Sequence, residues 1–279
     1  MRLLKTLPLA LISLILTFSL LSYARLSQAE YAQVNGIDLY YEIHGSGTPL
    51  VLLHGGYVDS DMWRIETAML SHHYQVIEID SRGHGRSTDG TVPITYELMT
   101  RDTLALLDQL NIDNAHFVGW SDGAVIAAQV AAFYPERMNK LVLIGSAFGS
   151  DTYVSTFSTV LNSEALFTRF ADITFGLKYK AVSSTPDHWP VFRDKLYDLW
   201  KTPCYLPTIP GQDCLAPLAR INSDTLVLVG SNEIIEFSHT EEIVAEIAGA
   251  ELEVVRFAGH FLPQIRPIKT GNTIINFIQ

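Results

Sequence analysis

Three short apolar runs constrain this chain more than anything else in it: VLL at 51–53, LVLI at 141–144 and LVLV at 226–229. A strand with one wet face alternates apolar and polar residues, and these do not. Strands without alternation are buried on both faces, the situation of a parallel sheet with helices packed above and below it. Further strand candidates lie at 37–43, 76–80, 116–119 and 252–257. Between them run segments with helical spacing at 60–70, 96–110, 124–134 and 240–248. Strand, helix, strand, helix predicts an α/β fold with crossover connections.

Composition narrows the class. Of 279 residues, 48% are hydrophobic and 18% charged, too apolar and too weakly charged for a disordered chain. Two cysteines exclude a disulfide-packed miniprotein. A net charge of −11 argues against a phosphate-binding surface, so a small-molecule substrate is expected and a nucleic-acid partner is not. Nothing in the sequence indicates an oligomeric state.

Arg2 and Lys5 precede an uncharged, leucine-rich run from Thr6 to Ala24, and Ser27-Gln28-Ala29 then supplies small residues at the −3 and −1 positions. That is the layout of a secretory leader, so 1–29 is expected to be a signal peptide and the protein to be exported, periplasmic or secreted. An uncleaved run would instead be a membrane anchor. Cleavage removes Arg2, Lys5, Arg25 and no acid, taking the charge from −11 to −14. In an oxidising compartment Cys204 and Cys214, in the stretch CYLPTIPGQDC, are expected to close a short loop worth about 2–3 kcal/mol. Two unpaired thiols are the alternative.

The strand–helix rhythm breaks between Phe148 and about Ile221. Helix-like pieces at 163–170 and 191–200 alternate there with Pro-containing connectors, and 11 of the 29 aromatic residues fall between Ser150 and Arg220. The expected organisation is a core over 30–148, a helical insert over 149–221 and a second core part over 222–279. The insert's aromatics either line an apolar pocket or form the insert's own small core.

Gly119-Trp120-Ser121-Asp122-Gly123 follows the strand-like AHFVG and opens an alanine-rich helix. A serine on a sharp strand-to-helix turn needs glycines two residues either side, and its hydroxyl then projects at the carboxyl edge of the sheet. Such a serine, read as a nucleophile, needs a base, and the base an orienting acid. Of the nine histidines, His260 in AGHFLP lies just past the last strand, where its loop can reach the serine. His239 falls in a helix, His72 and His73 at a helix end, and His54 beside the Gly-Gly turn it is expected to buttress. Active-site groups sit at the carboxyl ends of parallel strands, which removes Asp224 and favours Glu233 over Glu236. Oxyanion donors are expected from the N–H groups of Gly56, in HGG after VLL, and Asp122. Trp120 and Tyr57, beside the nucleophile and the Gly-Gly turn, are expected to touch substrate. The Asp122 carboxylate has two readings: it pairs with an ammonium group on the substrate, or it complements the positive end of the following helix.

HGG after VLL, DSRGHGRS at 80–87, GWSDG at 119–123, VLVGSNEI at 227–234 and AGH at 258–260 together resemble the α/β-hydrolase superfamily over essentially the whole chain beyond the leader. The resemblance implies a mostly parallel eight-stranded sheet flanked by helices, with a helical cap after the sixth strand. It places Ser121, Glu233 and His260 at triad positions and Gly56 and Asp122 at the oxyanion hole. Most capped members carry aspartate where Glu233 stands. Epoxide hydrolases and haloalkane dehalogenases carry aspartate at the elbow, so Ser121 argues against both. GWSDG is most similar to the valacyclovir-hydrolase-like branch, which cleaves esters. Asp80, Arg82 and His84 of the 80–87 turn read as structural.

The expected activity is hydrolysis of small carboxylic esters through an acyl-enzyme, with no cofactor and no metal. The alternatives are amide or carbon–carbon hydrolysis by the same triad, or a non-catalytic ligand-binding protein of this fold. A histidine base must be neutral, so activity is expected to fall below about pH 6–7.

Overall fold

A computed structural model describes residues 28–208 and 211–279. All but the last two residues of the expected leader lie outside the described residues. Eight strands form one sheet: β1 Gln28–Val34, β2 Ile37–Gly45, β3 Pro49–Leu53, β4 Gln75–Ile79, β5 Ala115–Trp120, β6 Met138–Ile144, β7 Thr225–Asn232 and β8 Glu251–Gly259. Their order across the sheet is β1-β2-β4-β3-β5-β6-β7-β8. β2 runs antiparallel to both β1 and β4, and every other pairing is parallel. The three non-alternating runs sit in β3, β6 and β7, with Leu50–Leu53, Leu141–Ile144 and Leu226–Val229 all buried, as two-faced coverage requires.

β1 was not among the expected strands, because QAEYAQV is polar and lies across the expected cleavage site. The signal for it is the hairpin that joins it to β2. Asn35 and Gly36 have φ of 43° and 81°, the two left-handed residues that a two-residue I′ turn needs. The C-terminal helix Pro267–Ile278 also lay outside the expected set. It packs on the helix Arg64–Leu70, where Gly271 admits Met69: a Cβ at 271 would lie 2.9 Å from its sulfur.

Two apolar layers flank the sheet. Helices Tyr96–Gln109 and Asp122–Phe133 cover one face. Helix Arg64–Leu70 and helix Pro267–Ile278 cover the other, over Leu50, Leu52, Val118 and Val142. Nearly every residue of Asp122–Phe133 is buried, which explains its alanines: small side chains let the helix lie against β5 and β6.

Between β6 and β7 the chain forms a helical layer with no strand among its described residues: Ser155–Leu161, Glu164–Ala171, a π-helical turn Asp172–Gly176, Leu177–Val182 and Trp189–Trp200. Both readings of its aromatics hold, for different rings. Tyr179, Trp189 and Phe192 pack among themselves and Phe167 packs on Tyr197, while others face the cavity described below. Cys204 and Cys214 are joined, with Cα atoms 5.2 Å apart, which closes the loop at the end of this layer.

The 80–87 turn is a dense, buried polar knot. Asp80 accepts from the Ser60 N–H at 2.8 Å and the Arg86 N–H at 2.9 Å. Arg82, 1% exposed, places its fork on Asp102 at 2.7 and 2.8 Å. His54 Nε2 accepts the Ser81 N–H at 2.9 Å, which leaves its proton on Nδ1 to bond the Gly55 carbonyl at 2.7 Å. Burial lowers the His54 pKa, so the ring is a neutral brace between this turn and the Gly-Gly loop.

Candidate active site

β5 ends at Trp120 and the next helix begins at Asp122, so the whole change of direction falls on Ser121. Its φ of 54° and ψ of −118° are rare for a residue with a side chain, a strain that the surrounding structure must enforce. The flanking glycines make it feasible. A Cβ at Gly119 would lie 2.2 Å from the Gly123 carbonyl oxygen, and one at Gly123 would lie 2.2 Å from that of Leu53. The Ser121 N–H is held by the Ile144 carbonyl at 2.9 Å.

His260 follows β8 and turns its ring back over the elbow. Nε2 lies 3.0 Å from Ser121 Oγ, and Nδ1 lies 2.6 Å from Glu233 Oε1. The same Oε1 accepts the Ile234 N–H at 2.8 Å, while Oε2 is buried without a hydrogen-bond partner. Glu233 is an acceptor on Nδ1, so the ring proton belongs there and Nε2 is free to accept from the serine hydroxyl. Gly145, with φ 55°, lies against both groups: a Cβ there would meet Glu233 Oε2 at 3.2 Å and His260 Nδ1 at 3.3 Å. Asp224 pairs with Lys140 at 3.9 Å instead, and Glu236 points outward.

A cavity of about 40 Å³ opens on Ser121 and His260, room for a few water molecules. Gly56 and the rings of Trp120, Tyr153, Phe157, Phe170, Phe175 and Trp200 line it, with Ile234 and Phe261. No carboxylate, lysine or arginine is among these residues. A wider hollow of about 500 Å³ lies over Asp151, Asp213, Glu236 and Glu242; it shares no residue with the Ser121 cavity. Size favours that hollow, but chemistry favours the small one, because only there does a hydroxyl meet a base.

The sequence profile of the α/β hydrolase fold matches residues 48–184. The enol-lactonase from Burkholderia xenovorans LB400 superposes with a TM-score of 0.68 at 26% identity, over 89% of this chain and 99% of that one. The chain has the α/β-hydrolase fold. A pimeloyl-[acyl-carrier protein] methyl ester esterase of Aliivibrio fischeri is 33% identical over 111 residues, 39% of this chain and 41% of the relative. A dihydrolipoyllysine-residue acetyltransferase component of the acetoin cleaving system of Cupriavidus necator is 29% identical over 252 residues, 83% of this chain and 64% of the relative. The chain spans less than half the length of several curated relatives it matches.

Within this α/β-hydrolase framework, Ser121, His260 and Glu233 are brought together, and Gly56 and Asp122 flank the serine. A Cβ at Gly56 would lie 2.5 Å from Trp200 and 2.6 Å from Asp122 Oδ2, so the loop requires glycine there. The Asp122 N–H, in the first turn of its helix, has no intrahelical acceptor to reach. Trp120 lines the cavity and does more than expected: its indole N–H donates to the His260 carbonyl at 2.6 Å, fixing the backbone that carries the ring.

One expectation is corrected and one open reading is decided. Tyr57 does not line the cavity. Its ring is packed among Phe167, Phe175, Trp189, Phe192 and Trp200, and its hydroxyl donates to the Arg193 carbonyl at 2.7 Å. The Asp122 carboxylate does not face the cavity either, so it has no route to a substrate ammonium. It is buried and accepts from Tyr96 at 2.9 Å and from the Trp200 indole at 3.0 Å. Burial pushes its pKa up to about 6 against those hydrogen bonds. Neither residue's partner is near in sequence, so no local pattern announced either role.

Proposed function

We propose that this protein is a serine hydrolase that cleaves carboxylic esters with short, uncharged acyl groups. The observation that carries the reading is the hydrogen-bonded line Ser121–His260–Glu233, at 3.0 and 2.6 Å, opening on a small apolar cavity. Ser121 Oγ attacks the ester carbonyl while His260 Nε2 takes its proton. The imidazolium so formed is stabilised by Glu233 through Nδ1–H and then protonates the departing alkoxide. The N–H groups of Gly56 and Asp122 receive the developing oxyanion, each worth about 3–4 kcal/mol of transition-state stabilisation. Water then attacks the acyl-enzyme with His260 as base, and Ser121 is released.

The cavity supports the substrate class. A charged acyl chain would enter an aromatic lining with no counter-ion, a heavy desolvation penalty. A long chain would have to displace several rings. Two relatives are named for ester chemistry, an enol-lactonase and a methyl ester esterase, and a lactone is a cyclic ester. A buried Asp122 argues against amino-acid esters as preferred substrates. The leader-like 1–29 supports an exported enzyme.

The test is a fluorophosphonate probe followed by a p-nitrophenyl ester series. Labelling that disappears in Ser121→Ala, with acetate and butyrate cleaved at least tenfold better than octanoate in kcat/KM, is the expected result. A folded wild-type protein that takes no label would sink the reading; one that labels but prefers octanoate would overturn the acyl-size part alone.

A further inference from the structure

Glu42 on β2 stands directly opposite Glu78 on β4 in the antiparallel register. Two carboxylates facing each other across a sheet repel, and such a pair needs a cation. His44 lies two residues along β2, hence on the same face as Glu42. Its buried Nε2 is 3.1 Å from Glu42 Oε2 and 3.6 Å from Glu78 Oε2, within ion-pair reach of both carboxylates. The two outer carboxylate oxygens are held from behind. The Tyr40 hydroxyl donates to Glu42 Oε1 at 2.5 Å, and the Thr67 hydroxyl donates to Glu78 Oε1.

We propose that Glu42, His44 and Glu78 form a binding site for one divalent transition-metal ion of the size and geometry of zinc, separate from the Ser121 site. Three features carry it. The donor atoms all lie within 4.8 Å of one another. Ligands bound to zinc at about 2.0–2.2 Å in a tetrahedron stand roughly 3.3–3.6 Å apart, and the two nitrogen–oxygen separations observed are 3.1 and 3.6 Å, so the imidazole already stands near ligand spacing from each carboxylate. Two carboxylates with one imidazole suit zinc, manganese, cobalt or nickel better than calcium or magnesium, which prefer all-oxygen sets. Tyr40 and Thr67 supply the outer hydrogen bonds that orient metal-binding carboxylates. The His44 and Glu42 side chains are 22% and 18% exposed, so an ion can enter and a water can complete the coordination. The ion would pin β2 to β4. Nothing in the local spacing announced this set, because Glu78 joins the other two only through strand pairing.

The experiment strips the full protein with chelator and titrates it with Zn2+ by calorimetry and thermal melting, then with Co2+ by visible absorption. One ion per chain, a Tm that climbs with Zn2+ concentration and the absorption of four-coordinate Co2+ are expected. His44→Ala and Glu78→Gln should each weaken Zn2+ binding at least 100-fold, and Tyr40→Phe by about 10–100-fold. His44→Gln, closer in volume, replaces His44→Ala if the latter does not fold. The proposal is overturned if wild type neither takes up Zn2+ nor shifts its Tm at millimolar concentration. It is equally overturned if both His44 variants bind as wild type does, which would assign the ion to other histidines such as His72 and His73.

Discussion

Two polar clusters in this molecule are built from similar side chains and end differently. Around Arg82, each guanidinium nitrogen has an acceptor: Asp102, the Asp89 carbonyl or the Asn35 carbonyl. Around Ser121, one serine is held at φ 54°, Glu233 Oε2 has no partner, and a cavity opens between the rings. Both stretches, DSRGHGRS and GWSDG, stand out equally in the sequence. The difference teaches that a candidate reacting site is marked by backbone strain and by space beside a base. Residue type alone does not mark it. A polar knot packed without a cavity holds loops together and leaves a substrate no room.

That contrast can be broken by substitution. Ser121→Ala should remove about 10⁴–10⁶ of kcat on p-nitrophenyl acetate while leaving the melting curve in place. A comparable loss of fold would make the serine as structural as Arg82. Arg82→Met leaves Asp102 as an uncompensated buried charge. The expected effect is about 3–5 kcal/mol of stability, seen as a Tm fall of roughly 10 °C, with kcat nearly unchanged in the folded fraction.

Asp122 sits between the two classes, its N–H a proposed oxyanion donor and its carboxylate structural. Its pKa in the folded state, about 6, is above the model-peptide 3.8, so folding favours the proton. The stabilisation from that proton is complete below about pH 4 and is lost as pH rises through about 6, a swing on the order of 3 kcal/mol. Denaturant titrations across pH 4–7 should show this slope in wild type and not in Asp122→Asn. An identical slope in both proteins would reject the assignment. Tyr57→Phe carries the smallest effect. Loss of the bond to the Arg193 carbonyl should cost about 1 kcal/mol by urea unfolding, with kcat/KM for acetate within twofold. A large change in KM would return Tyr57 to the substrate.

Much of the fold was legible because burial on two faces leaves a local trace. The runs in β3, β6 and β7 are apolar throughout; β3 and β6 end where expected, at Leu53 and Ile144, and β7 continues three residues past Val229 to Asn232. β1 left no such trace, since an edge strand needs apolar residues on one face only; its signature was the Asn35-Gly36 turn. Ser121 was legible through its flanking glycines: Gly119 is demanded by the Gly123 carbonyl across the helix start, and Gly123 by the Leu53 carbonyl on neighbouring β3. His260 was found by its place after the last strand.

The roles of Tyr57, Trp120 and the Asp122 carboxylate depend on partners far off in sequence: Arg193, the His260 carbonyl, Trp200 and Tyr96. Which aromatic rings face the cavity and which face one another was likewise set only when the 155–200 helices came down on the sheet. The chain alone determined its strands, its elbow and the chemistry on offer, since those follow from burial period and backbone sterics over a few residues. Convergence of donors on one point in space, whether at Ser121 or between Glu42, His44 and Glu78, was decided by packing, because distance between elements is not written in either one of them.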